Sequence, residues 1–312
     1  MKARILVLTL MTLLVYNLTT IGQTTEFQYF YHPEYFNDST IKEKRIKKIS
    51  VTSFLTRPNG KIYQDSKNVY IFNELGDLLC SESYSFNEND SQVITKQTID
   101  CHEYRNGLQT RHLRYHNKKD SAEWVEEFSY VHDRNGNITK IIVKDLSYPH
   151  NSKTIEKIYD SKNRILIEKT DFGYLTEYRY DSKDNIIERV WGPKEGPRNK
   201  NLYSYDEADN LIKYEFKGTS FDNYNTVKEI NKYDSQGRII LKESISAENI
   251  KSQIRYSYEG KNTIITKLIN QKGEVQSTTT KNFANGLIQS EMTVRDGVIH
   301  FKEVYDYEFN KN

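Results

Sequence analysis

Three kinds of side chain in this 312-residue sequence have the type and spacing to do chemistry. The first is histidine. His112 and His116, in "HLRYH", stand four apart and share a face if the segment is a strand, and His102 lies shortly upstream. Imidazoles so placed bind transition metals when further donors join them. A metal site is one reading, and scattered surface histidines with no metal are the expectation. The second is aspartate: Asp133, Asp160, Asp181, Asp206 and Asp234 each open a short polar phrase. Ca²⁺ takes about six to eight oxygens, and one Asp with a variable pair beside it supplies too few. The third is tyrosine, present 24 times. Tyr178 with Tyr180, Tyr203 with Tyr205, Tyr256 with Tyr258 and Tyr305 with Tyr307 sit at i, i+2, which puts both rings on one strand face. Side by side, such pairs form an aromatic stripe, read either as the core or as an exposed platform for sugar rings. The candidate ligand-binding residues are therefore Tyr178, Tyr180, Tyr203, Tyr205, Tyr256, Tyr258 and Trp191. Hydrolase, zinc-protease, P-loop and dinucleotide-binding signatures are absent, and no catalytic residue or cofactor is assigned.

The elements that must position these residues are written as a repeat. Phrases starting at Phe72, His132, Tyr159, Tyr180, Tyr205, Tyr233 and Tyr258 carry Asn, Asp or Glu one position later. Four positions after the aromatic come Gly76, Gly136, Asn163, Asp184, Asp209, Gly237 and Asn262, and six positions after it comes Leu or Ile. Gly, Asn and Asp tolerate φ > 0. An Asp three places earlier bonds back onto the turn, so the phrase reads as a type I turn closed by a left-handed residue, the tip of a β-hairpin. "YRNGLQ" (Tyr104 to Gln109) and "FANGLI" (Phe283 to Ile288) are shorter copies with Asn-Gly tips. "RPNGKI" (Arg57 to Ile62) reads as a degenerate first copy, and "VYDYEF" (Val304 to Phe309) as the opening strand of a copy whose turn is never completed. Aromatics from Tyr159 to Tyr307 are spaced 21, 25, 28, 25, 25 and 24 residues apart, the mark of a repeat array. The loop "GPKEGPRNK" (Gly192 to Lys200) falls on the opposite edge from the tips.

These phrases resemble the YD-repeat, or RHS-repeat, family of exported bacterial proteins, whose signature is Tyr-Asp, two variable residues, Gly-Arg or Gly-Asn, then Leu. "YDSQGRI" matches it, "HDRNGNI" nearly so, and "YDSKDNI" with Asp in place of Gly. The likeness runs over residues 55 to 309. It implies a long antiparallel sheet that curls as hairpins are added. Large members of that family form shells around a toxic C-terminal domain, and some are described as carbohydrate-binding. This chain lacks the core motif that closes such shells. The expected fold is therefore all-β: repeated antiparallel hairpins, with a period of about 25 residues, forming an open, twisted, curled meander sheet.

Residues 1–22 read as a signal peptide: Lys2 and Arg4, then the 14-residue apolar run Ile5 to Leu18, then small and polar residues. An uncleaved anchor is the alternative, but the run is shorter than the roughly 20 residues of a membrane span. Removing the segment lowers the formal charge from +2 to 0, which leaves no general field for nucleic acid. Residues 23–50 are assigned to an N-terminal cap and 51–312 to the hairpin array, whose two end strands would otherwise present open edges. The basic run "IKEKRIKKI" (Ile41 to Ile49) reads as a solvated strand face. Cys80 and Cys101 flank a hairpin tip, so they form either a disulfide, as export favours, or two buried thiols. The functional expectation is an exported, non-enzymatic binding or cell-surface module, with a glycan or cell-envelope polymer as ligand. The alternative is a structural or protein-interaction component of a toxin or envelope system. Periplasm, cell surface and extracellular space remain open.

Overall fold

The computed structural model describes residues 38–57, 59–87, 90–116, 121–218, 226–246 and 251–310. Residues 1–22, read as a signal peptide, and residues 23–37 of the segment assigned to a cap lie outside them. A short helix, α1 (Asp38–Glu43), leads into twenty strands. These are β1 (Ile46–Thr56), β2 (Ile62–Phe72), β3 (Leu78–Asn87), β4 (Asp90–Arg105), β5 (Leu108–His116), β6 (Trp124–His132) and β7 (Ile138–Asp145). Then come β8 (Lys153–Tyr159), β9 (Ile165–Thr170), β10 (Tyr174–Tyr180), β11 (Ile186–Pro193), β12 (Asn199–Tyr205), β13 (Leu211–Lys217) and β14 (Thr226–Tyr233). The last are β15 (Ile239–Ile245), β16 (Lys251–Glu259), β17 (Thr263–Ile269), β18 (Val275–Ala284), β19 (Leu287–Arg295) and β20 (Val298–Phe309). Every strand pairs antiparallel with its sequence neighbours in one 20-stranded sheet.

The sheet is closed, which corrects the expectation of an open curled meander. β20 returns to β1 and pairs with it from Leu55↔Phe301 to Ile46↔Phe309. The "VYDYEF" segment, the opening strand of a last copy, lies in β20 and closes the sheet, so the two end strands pair with each other instead of presenting open edges. The supposed cap contributes structure of its own: β1 begins at Ile46, inside it. The basic run likewise divides between α1 and β1, and Ile41, Ile46 and Ile49 in it are almost fully buried. They join Val51, Tyr70, Phe72, Leu287, Ile288 and Tyr305 in the principal apolar cluster, which lies across β1, β2, β19 and β20. The largest block of buried apolar surface thus sits at the seam where the barrel closes. A second cluster joins Phe128, Ile141, Val143 and Ile155 on β6, β7 and β8.

Even-numbered strands all end on one rim, and the Asp-led phrases are its turns. In the copy at Tyr159, Asp160 Oδ1 accepts the backbone N–H groups of Lys162 and Arg164, both at 2.9 Å. Asn163 N–H donates to the Asp160 carbonyl at 3.1 Å. Gly76, Gly136, Asn163, Asp184, Asp209 and Gly237 all take φ between 62° and 93°. The copy at Tyr258 departs from the pattern: Gly260, not Asn262, takes the positive φ, 62°, and Glu259 pairs directly with Thr263 around a three-residue loop. "RPNGKI" lies on the opposite rim, between β1 and β2, and is not a copy of the repeated tip. That rim also carries an Asx turn that the repeat alignment misses. Asn270 Oδ1 accepts the N–H groups of Lys272 and Glu274 at 2.9 and 3.0 Å, with Ile269 where the aromatic would stand.

Cys80 and Cys101 face each other across β3 and β4 and form a disulfide, separated by 21 residues. For a loop of that size the chain-entropy model gives about 3 kcal/mol. Urea unfolding of the oxidised chain against Cys80→Ser/Cys101→Ser should show that difference. Equal midpoints would mean that the paired strands already confine the unfolded chain.

Candidate functional site

The repeated tyrosine is placed by its hydroxyl. Tyr159 Oη donates to the Ile138 carbonyl at 2.7 Å, Tyr180 to Ile165 at 2.8 Å and Tyr205 to Ile186 at 3.0 Å. Tyr233 donates to Leu211 at 2.9 Å, Tyr258 to Ile239 at 2.8 Å and Tyr307 to Ile288 at 2.6 Å. In the first five the acceptor is the Leu or Ile six positions after the previous copy's aromatic. Each phrase thus pins itself to the one before, at about 0.5–1.5 kcal/mol per bond. Burial pushes the Tyr180 and Tyr205 hydroxyls up to about 12.

Two residues upstream, on the same face, stand Tyr178, Tyr203, Tyr256 and Tyr305, and in other copies His102, Lys157, Asn231 and Lys281. The stripe is therefore mixed rather than wholly aromatic. Tyr178 Oη donates to Glu168 at 2.9 Å, and Tyr203 Oη accepts from Asn201 at 2.9 Å. All six candidate tyrosines are half-buried. Cations cover several of their faces: Arg164 lies 4.5 Å over Tyr180, Arg238 lies 4.3 Å over Tyr258, and Arg189 lies 5.8 Å over Tyr178. Trp191 stacks on Phe216 with ring centres 5.9 Å apart.

A cleft of about 450 Å³ opens where β9 to β12 approach the aspartate rim. Tyr178 and Tyr180 line it with Arg164, Arg179, Glu188 and Leu202. Arg179 is 74% exposed and lies 3.7 Å from Glu188, which also holds Lys200 at 2.6 Å. On the tyrosine side the cleft therefore offers ring edges, an aliphatic wall from Leu166 and the Arg164 guanidinium, while the Arg179 and Glu188 side chains project from the opposite face of β10 and β11. On the rim beside it, Lys162 and Arg164 converge on Asp184 at 2.9 and 2.5 Å, and Lys183 reaches Asp209 at 3.0 Å. Adjacent turns are thus tied side by side. The Asn210 side-chain amide holds the Asp206 carboxyl below the usual range, and the Arg164 N–H does the same for Asp160.

Of the three histidines singled out, none is fully exposed: His102 and His116 are half-buried and His112 is buried. His112 is buried between Asp100 and Glu126, and stacks on His102 with ring centres 4.9 Å apart. Sequence reading misses this because both carboxylates come from neighbouring strands and share no motif with the ring. Among the described residues no group of His, Cys, Asp and Glu has the arrangement of a metal site.

Sheet chemistry bears on membranes. Opposite the tyrosine face, Glu156 pairs with Lys140 and Lys169, and Glu215 with Lys213 and Lys217. The tyrosine face itself holds Lys157–Glu168 and Lys242–Glu229. Among the described residues these charged pairs interrupt both faces, unlike the continuous apolar band of a lipid-spanning barrel. No helix among the described residues is long and apolar enough to cross a membrane.

No protein-family model matches the chain, and no curated protein does. Solved structures show distant likeness. A porin-like protein from Bacteroides uniformis is 12% identical with a TM-score of 0.38, over 84% of this chain and 98% of that one. The TcdB2-TccC3-Cdc42 structure is 10% identical with a TM-score of 0.37, over 81% of this chain and 19% of that one. A porin-like protein from Bacteroides vulgatus is 9% identical with a TM-score of 0.25, over 86% and 99%. With every TM-score below 0.5, the architecture of this chain stands on its own strand pairing.

Proposed function

We propose that this protein is an exported, non-enzymatic binding module built from YD/RHS-type hairpins, and that it binds carbohydrate at the Tyr178–Tyr180 cleft. The carrying observation is the cleft's composition: two tyrosines beside Leu166 and the Arg164 guanidinium in a space of about 450 Å³. That volume lies within the roughly 300–1,000 Å³ of small-ligand sites. Ring edges and an aliphatic wall pack against the apolar C–H face of a sugar, while the guanidinium donates to its hydroxyl oxygens. The charged n-region and short apolar run of residues 1–22 support export.

The test is retardation of the purified protein in native gels containing single polysaccharides. Retardation by one class, lost in Tyr178→Ala but kept in Arg179→Ala on the opposite face, with both variants folded, is expected. Arg179 serves as the control because its exposure makes its removal structurally mild. Absence of retardation on every polysaccharide overturns the reading. It would favour the alternative of a structural or protein-interaction component, which the use of the tyrosine hydroxyls in repeat-to-repeat bonds already supports.

A further inference from the structure

A cluster of titratable groups lies on the tyrosine face of β4, β5 and β6, outside the cleft. His112 Nε2 lies 3.0 Å from Asp100 Oδ1, and its Nδ1 lies 3.2 Å from Glu126 Oε2. The ring is buried, with 8% of its side chain exposed, and the two carboxylates are nearly as enclosed, at 15% and 13%. A neutral imidazole carries one N–H and one lone pair, whereas an imidazolium carries two donors. Only the charged ring satisfies both carboxylates; the neutral ring turns a lone pair toward one of them in a site shielded from water.

The groups around it come from four strands. β4 supplies Asp100 and the stacked His102, and β5 supplies Arg114, whose Nε donates to Asp100 Oδ1 at 2.7 Å. His116, also on β5, lies 3.3 Å from Thr98 Oγ1 and points to Glu123 at 3.9 Å. β6 supplies Glu126 and Trp124, whose ring lies 5.7 Å from His112 and 4.8 Å from the Arg114 guanidinium. β7 supplies Asp145, which holds Trp124 Nε1 at 3.0 Å. Asp100, Glu126, Arg114 and protonated His112 balance to zero charge. Loss of the proton leaves one uncompensated negative charge among them.

We propose that His112 is a proton-operated staple: as an imidazolium it ties β4 to β6 through β5, and on deprotonation that part of the wall loosens. β4 is fastened on its opposite face by Cys101, which lies between Asp100 and His102 in sequence, so the staple and the disulfide grip one strand from its two sides.

The sign of the pH dependence follows. Burial opposes the charge on His112, but the bonds to Asp100 and Glu126 outweigh it and hold the ring above its ordinary 6.5. A raised histidine contributes stability that is complete below its unfolded value and is lost as pH rises through its folded value. Burial likewise opposes the charge on Asp100, and the bonds from His112 and Arg114 outweigh it, holding Asp100 below 3.8. That contribution is present above the ordinary aspartate value and lost as pH falls through the folded one. The wall is therefore tightest in mildly acidic solution and loosens toward alkaline pH.

Two measurements on the intact chain decide the matter. The first follows the His112 ring by ¹³C-resolved NMR from pH 5 to 10; a midpoint above 6.5 is expected, and one at or below 6.5 overturns the proposal. The second compares denaturant unfolding of wild type and His112→Gln between pH 6 and 9. The wild-type unfolding constant should rise by up to about tenfold per pH unit over the window between the two midpoints, and the variant should lack that rise. An identical alkaline slope in both chains overturns the proposal. The NMR titration decides it alone if the variant does not fold.

Discussion

A chain that ends at Asp296, and so lacks β20, is expected to lose cooperative unfolding altogether and to sediment as aggregate. β20 holds nine registered pairs with β1 and also pairs with β19, so its removal bares two long edges at once. Unpaired edges recruit other chains. It also takes Tyr305 and Tyr307 out of the principal cluster and uncovers Ile49, Val51 and Ile288. Each fully buried residue of that size is worth about 1.5–3 kcal/mol, against a typical domain stability of about 5–15 kcal/mol. Sedimentation velocity and urea titration of the shortened chain check the expectation. A soluble monomer with the parent's midpoint would show that the seam is dispensable. An outcome between these is also informative: a synthetic peptide spanning residues 298–309 should restore solubility if closure is what is missing.

Why the closing strand escapes sequence reading follows from the range over which each feature is encoded. The turns are local. Asp160, Asn163 and Arg164 make every bond that defines their tip within five residues, so D-x-x-[GND] reads directly as a left-handed hairpin tip. Even the failure at Asn262 is local, because Gly260 two residues earlier takes positive φ more readily than Asn does. Closure is the opposite case. The Lys48–Glu308 bond joins residues 260 apart, and no motif near either one announces it. Nothing in a repeat states how many copies complete the circle. The same limit hides the cleft and the histidine cluster. The i, i+2 spacing puts Tyr178 and Tyr180 on one face, but which carboxylate meets Tyr178 depends on cross-strand register. That register carries a bulge beside most tips, such as the one between Ile158 and Tyr159, whereas the Tyr258 tip has none.

Lys157→Met is expected to destabilise the barrel by about 3–5 kcal/mol, more than any surface pair here would. Lys157 occupies the position that Tyr178 and Tyr203 hold in later copies, and its Nζ lies 2.8 Å from Glu168 Oε1 directly across the β8–β9 ladder. Their side chains are only 7% and 9% exposed, so neither charge keeps much hydration. Methionine retains most of the length of the lysine stem but leaves Glu168 with the Tyr178 hydroxyl in place of a cation. Adding Glu168→Gln removes the stranded charge while preserving an acceptor for Tyr178, so the double variant should regain most of the loss. The measurement is a double-mutant cycle in urea with Lys157→Met, Glu168→Gln and the pair. Independent, additive effects would mean that water already screens the two groups and that the burial of this face is shallow. Strong coupling has a consequence for the cleft, because Glu168 positions the Tyr178 ring that lines it. Lys157→Met should then weaken polysaccharide retardation although Lys157 does not line the cleft, and the double variant should restore stability and retardation together.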